Sequence, residues 1–125
     1  MKILDGSTSK GGHYAPGVVS RGMLYISGQL PVDHATGALA AGGAAEQTRA
    51  ALSNLERVLT AAGVTREAVV LCRVYIPDVG LWDEVNLAYA EFFGGHKPAR
   101  VVVPTRALHH GALVEIEAMA EMEED

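Results

Sequence analysis

Apolar residues recur along this chain with two periods. Between residues 46 and 62 the period is helical. Thr48, Leu52, Leu55, Leu59 and Ala62 fall on one face of a helix predicted over Glu46–Ala62, and Gly63 stops it. A second amphipathic helix is predicted over Leu81–Phe93, with Leu81, Val85, Tyr89 and Phe92 in register and Gly94-Gly95 ending it. Shorter runs carry β-branched and alternating residues. Met23–Ser27 ("MLYIS") predicts a strand running into a turn at "SGQLP", and Val69–Ile76 ("VVLCRVYI") predicts another, closed by Pro77. Pro98 and Pro104 cannot donate to a sheet ladder, so they confine a third strand to Ala99–Val103. A last strand is predicted over Leu113–Met119, and residues 1–19 show a weak pattern from which further strand pairing is expected. Strands, helix, strand, helix, strand, strand predicts an α+β or mixed α/β fold as a single domain over residues 1–125. Its two helices would pack on one face of a mixed β-sheet.

Alternation then divides each strand into two faces. In the last strand Val114, Ile116 and Ala118 oppose Glu115 and Glu117. In the preceding one Val101 and Val103 oppose Arg100 and Val102, and in Val69–Ile76 the set Cys72, Val74, Ile76 opposes Leu71, Arg73, Tyr75. Each strand is therefore expected to turn a fully apolar face to the helices and a mixed face away from them. Two helices leave that mixed face uncovered, and it is too apolar for water, so self-association around a symmetry axis is expected.

The composition is ordinary for a globular chain: 125 residues, 49% hydrophobic and 20% charged, with a formal net charge of −5. An acidic chain without a basic stripe disfavours nucleic acid as a partner. Met1–Lys10 is polar with no apolar core of a signal peptide, and no apolar run approaches the ~20 residues that span a bilayer. A soluble cytoplasmic protein without membrane partners is expected. The single cysteine, Cys72, cannot form an internal disulfide, and its place on the apolar side of its strand predicts a buried, inert thiol. Five histidines show no metal-binding spacing, so loop polarity is favoured over a metal site.

The residue that stands out is Arg100, a guanidinium inside a short valine strand. It is expected on the mixed face together with Glu115. Residue types alone favour a structural salt bridge with Glu115 or Glu117, while an arginine fork can equally clamp a ligand carboxylate. Ser27 and Gly28 end a strand at a tight turn, Tyr14 reads as a loop aromatic, and Asn86 as a polar residue on the exposed side of its helix.

Taken in order, "GHY" (Gly12–Tyr14), "SGQLPVDHATG" (Ser27–Gly37), "EQTRAALSNLERVLTAAG" (Glu46–Gly63), "VNLAYAEFF" (Val85–Phe93), "PAR" (Pro98–Arg100) and "VEIEAMA" (Val114–Ala120) closely resemble the Rid family of reactive-intermediate deaminases, also called YjgF proteins. The resemblance runs from about Gly12 to the C-terminus. It implies a chorismate-mutase-like fold and a homotrimer with sites at the subunit interfaces. The implied activity is cofactor-independent hydrolysis of 2-imino or 2-enamino acids to 2-oxo acids and ammonia. In that frame Arg100 would clamp the substrate carboxylate and Glu115 would place or activate water. Tyr14, Ser27 and Gly28 would line the pocket, and Asn86 would shape it. Two other readings remain: a non-catalytic trimer binding small carboxylates or a protein partner, and the endoribonuclease or translation-inhibitor role attached to some relatives. The sequence departs from the family pattern at His13 and Pro16, at Val101 and Val102 after "PAR", and in "LHHGA", which puts His109 and His110 beside or near the cleft.

Overall fold

The computed structural model describes residues 1–5 and 12–123. Eight main elements follow one another: β1 (Lys2–Ile3), β2 (Gly17–Ser20), β3 (Met23–Gln29), α1 (Ala44–Ala61), β4 (Val69–Ile76), α2 (Trp82–Phe93), β5 (Ala99–Pro104) and β6 (Glu115–Glu121). The strand pairing expected near the N-terminus is supplied by β1 and β2. The part of that expectation that falls on residues 6–11 lies outside the described residues. Among the described residues no helix is long and apolar enough to cross a membrane.

The strands form one mixed sheet in the order β1-β2-β3-β6-β4-β5. Antiparallel pairing joins every neighbouring pair except β4 and β5, which run parallel. A parallel pair needs a crossover, and α2 supplies it. Both helices pack on the same face, so the fold is α+β as expected. Their core includes Leu24 and Ile26 from β3, Cys72, Val74 and Ile76 from β4, and Ile116, Ala118 and Ala120 from β6. Against these lie Leu52, Leu55 and Leu59 of α1 and Val85, Tyr89 and Phe93 of α2.

Local chemistry sets the ends of α1. Glu46 accepts a hydrogen bond from the Gly43 N–H at 3.0 Å, closing one orphan donor and starting the helix two residues before Glu46. At the far end Val64 N–H reaches the Leu59 carbonyl at 3.0 Å, and Gly63 adopts a φ of +83°, the left-handed stop that glycine permits. In β5 the strand runs through Pro104, one residue further than expected. It can, because β5 is the outermost strand and needs no donor on its open side.

Two expectations about β5 are corrected. It does not neighbour β6, since β4 lies between them. Nor does Arg100 share a face with Glu115. In the parallel register Arg100 sits beside buried Cys72 and Val102 beside buried Val74, so both point to the helix side. Glu115 sits opposite Tyr75 and Glu117 opposite Arg73, on the other side. Alternation had separated the two residue sets of β5 correctly but assigned them to the wrong layers, because both sets contain valine.

The outer face is as mixed as expected. It presents Tyr25 and Val101, each 45% exposed, and half-buried Leu71 and Met119 around the Arg73–Glu117 ion pair at 3.8 Å. No described helix covers it.

Candidate active site

Two groups of the expected site residues emerge, on opposite sides of the sheet. The first surrounds Glu115 at the start of β6. Its carboxylate lies over Gly28 in β3, so close that a Cβ on residue 28 would fall 2.5 Å from Glu115 Oε2. The ladder between β3 and β6 shifts register between Ile26 and Gln29, and this bulge puts the bare glycine backbone beneath the acid. Ser27 within the bulge donates its hydroxyl to the Ala15 carbonyl at 2.6 Å, and its own N–H goes to the Pro16 carbonyl at 3.0 Å. Ser27 thereby fastens the loop that carries Tyr14.

Tyr14, Ser27, Gly28 and Glu115 line one cleft of about 1010 Å³. His109 and His110 line it too. Their rings lie 3.8 Å apart, centre to centre, on a short turn in which His110 holds a φ of +62°. Burial raises the proton affinity of Glu115 above the ordinary carboxylate range. The Glu117 charge pushes the same way and His109 opposes it. Such a carboxylate is a stronger base than an exposed one.

Beneath the turn, Gln47 of α1 is buried and accepts the Leu113 N–H at 2.8 Å, fixing where β6 begins. Beside the site, Glu117 pairs with Arg73 and accepts a hydrogen bond from the Tyr75 hydroxyl, which raises the tyrosine's proton affinity. The salt bridge anticipated between Arg100 and Glu115 or Glu117 is thus replaced by one between Arg73 and Glu117.

The second group surrounds Arg100. Its Nη1 donates to Asn86 Oδ1 at 2.8 Å, and its guanidinium carbon lies 4.8 Å from the centre of the Tyr89 ring and 5.4 Å from that of Trp82. Asn86 is therefore half-buried against Arg100, not on a solvent-exposed helix side. Among the described residues no carboxylate comes within 4.0 Å of Arg100. Cys72 lies under this group, and burial pushes its thiol up to about 11, the inert thiol expected from its strand position. The sequence reading missed Trp82 and Tyr89 as neighbours of Arg100. The spacing 82, 86, 89 was the available signal, but Tyr89 also fitted the core register.

Among the described residues, no three His, Cys, Asp or Glu side chains are grouped to hold a metal ion. The chemistry on offer is that of a carboxylate of raised proton affinity over a bare backbone on one side, and a guanidinium with no described carboxylate within 4.0 Å on the other.

Comparison with known proteins adds relatives to this geometry. Residues 7–122 match the family model described as endoribonuclease L-PSP. A 2-iminobutanoate/2-iminopropanoate deaminase of Rattus norvegicus is 39% identical over 118 residues, covering 91% of this chain and 86% of the rat protein. A RutC family protein of Pyrococcus horikoshii is 39% identical over 109 residues, covering 87% and 86%. Among solved structures, a Rid family protein of unknown function from Yersinia pestis superimposes with a TM-score of 0.91 at 36% identity, covering 97% of this chain and 98% of that one. The E. coli protein TdcF, solved with bound serine, gives 0.90 at 30%, covering 98% and 100%.

Proposed function

Since the chain belongs to the Rid (endoribonuclease L-PSP) family, we propose that it hydrolyses 2-imino acids, in equilibrium with their enamines, to 2-oxo acids and ammonia. The observation that carries this reading is that one chain supplies, on opposite sides of its sheet, a guanidinium with no described carboxylate within 4.0 Å, Arg100, and a base of raised proton affinity, Glu115. The relatives named 2-iminobutanoate/2-iminopropanoate deaminase support the same class of substrate. A pure carboxylate binder would use Arg100 and have no need of Glu115.

The chemistry balances with water and protons alone. Arg100 binds the substrate carboxylate through a bidentate fork, which orients the C=N carbon. Glu115 accepts a proton as the water oxygen bonds to that carbon, giving a carbinolamine. The proton passes to the nitrogen, the C–N bond breaks, ammonia leaves, and the hydroxyl loses its proton as C=O closes. Neither carbon nor nitrogen changes oxidation state. Glu115 must begin ionised, so rising pH through its raised pKa favours the base. The imine must be protonated to be electrophilic, so falling pH favours the substrate.

Arg100 and Glu115 lie on opposite faces and on non-adjacent strands, so one copy supplies them to different clefts. The reading is therefore that of an assembly, with the Glu115 cleft of one copy completed by Arg100 and Asn86 of the next. A homotrimer closed around the mixed outer face satisfies this arrangement and covers that face.

An amino-acid oxidase that generates 2-iminopropanoate and 2-iminobutanoate in the presence of semicarbazide provides the test. Wild type is expected to suppress semicarbazone formation, and Arg100→Ala and Glu115→Gln to lose that effect. No suppression by wild type across several imino acids sinks the deaminase reading. RNA cleavage abolished by Glu115→Gln would replace it with the endoribonuclease reading, which the net charge of −5 opposes.

A further inference from the structure

Trp82 has no evident use in the fold. It opens α2, where Leu81 supplies no side-chain cap, it is 38% exposed, and it stands outside the apolar core. A tryptophan that keeps more than a third of its surface in solvent at the start of a helix caps nothing and adds nothing to the fully buried core. Its ring does stand beside Arg100, 5.4 Å from ring centre to guanidinium carbon.

Positions 82, 86 and 89 follow an i, i+4, i+7 spacing, so they share one face of α2. Each meets the same cation. Asn86 takes one N–H of Arg100, and Tyr89 and Trp82 place their rings within the ~6 Å range in which a ring quadrupole attracts a cation. The Tyr89 hydroxyl is buried and turned to the Cys72 thiol beneath the group, so it takes none of the Arg100 donors. Arginine carries five N–H donors, and one of them goes to Asn86.

We propose that Trp82 and Tyr89 are positioning residues for Arg100, their rings and the Asn86 amide holding the guanidinium so that a free edge faces the carboxylate of a small 2-imino or 2-oxo acid. An ion pair within the chain would hold the side chain as well, but it would occupy the fork that the ligand needs. Aromatic faces hold the cation without consuming its donors. The inference rests on Arg100 being the carboxylate anchor.

Trp82→Leu and Trp82→Phe separate this role from surface cover. The probes are 2-oxobutanoate and its uncharged analogue 2-oxobutanamide, titrated by calorimetry. A second readout is the Arg100 Nε–H resonance, assigned by its loss in Arg100→Lys. Trp82→Leu is expected to weaken 2-oxobutanoate binding about threefold to tenfold. The amide should be unaffected, and the Arg100 resonance should lose the indole's part of its ring-current shift, the Tyr89 ring keeping the rest. Trp82→Phe is expected to restore most of both. Unchanged 2-oxobutanoate affinity in Trp82→Leu overturns the inference while leaving the anchor intact. So does an equal loss for acid and amide, or an unmoved Arg100 resonance. Wild type that fails to bind 2-oxobutanoate removes the anchor itself, and the proposed function with it.

Discussion

A methyl group at residue 28 would meet Glu115 before anything else. The nearest atom to such a Cβ is the end of a flexible side chain, and the next two belong to the same carboxylate and its stem. Gly28 does not adopt a positive φ, so alanine adds no backbone strain there. The fold can therefore accept Gly28→Ala by moving Glu115, and the movement is the harm. A base displaced by about 1 Å costs on the order of a hundredfold in rate. Gly28→Ala is expected to lose imine hydrolysis to that extent while its melting temperature stays within a few degrees of wild type. Equal losses of stability and activity would mean that residue 28 matters to the sheet and not to the acid. On local grounds Gly28 read as a plain turn glycine, and only the family resemblance put it in the pocket, because its special requirement is set by a residue 87 positions away.

At the scale of elements, periodicity made both helices legible. Leu52, Leu55 and Leu59 are buried as the 3.6-residue period requires, and Gly63 ends α1. The two-residue error at the start of α1 comes from the Gly43–Glu46 capping contact, which the alanine-rich entry disguised. Strand faces were legible only where one set of residues was wholly apolar. In β5 both sets contain valine, so only the crossover through α2 and the parallel register with β4 decide that Arg100 faces the helices. Glu115 and Arg100 were found as individual residues, but the assumption that they share a face failed for this reason. The clamp between elements was not legible either. Gln47 sits on α1 at a core position, and its partner is a backbone N–H 66 residues away. Gln47→Ala leaves that N–H without its acceptor at the start of β6. The expected cost is about 1–3 kcal/mol of stability, read by denaturant unfolding. Imine hydrolysis should fall with it, since Glu115 lies two residues beyond the lost contact. A stability change under half a kilocalorie, roughly the level of a neutral surface substitution, would show that Gln47 is not the anchor of β6.

The whole molecule has to explain why one chain keeps its guanidinium and its carboxylate on opposite sides of a sheet. If each copy served its own cleft, some large movement of β5 would have to bring Arg100 around β4. If copies serve one another, no movement is needed. A ring of identical subunits would place Arg100 of each copy in the Glu115 cleft of the next, and the same closure would bury the apolar part of the outer face. The two arrangements separate by mixing variants. Arg100→Ala chains keep an intact Glu115 half, and Glu115→Gln chains keep an intact Arg100 half, so neither homo-oligomer has a complete site. Chains unfolded together in equal amounts and refolded at random form an intact site wherever a Glu115→Gln copy donates Arg100 to an Arg100→Ala copy. Two independent choices of one half each give about one quarter of wild-type activity, whatever the number of subunits in the ring. Mixing the folded homo-oligomers without unfolding should give none until subunits exchange. Inactivity of the refolded mixture, with oligomers of wild-type size, would place Arg100 and Glu115 in the service of the same chain. Recovery near one quarter would identify the interface as the place where the chemistry is assembled.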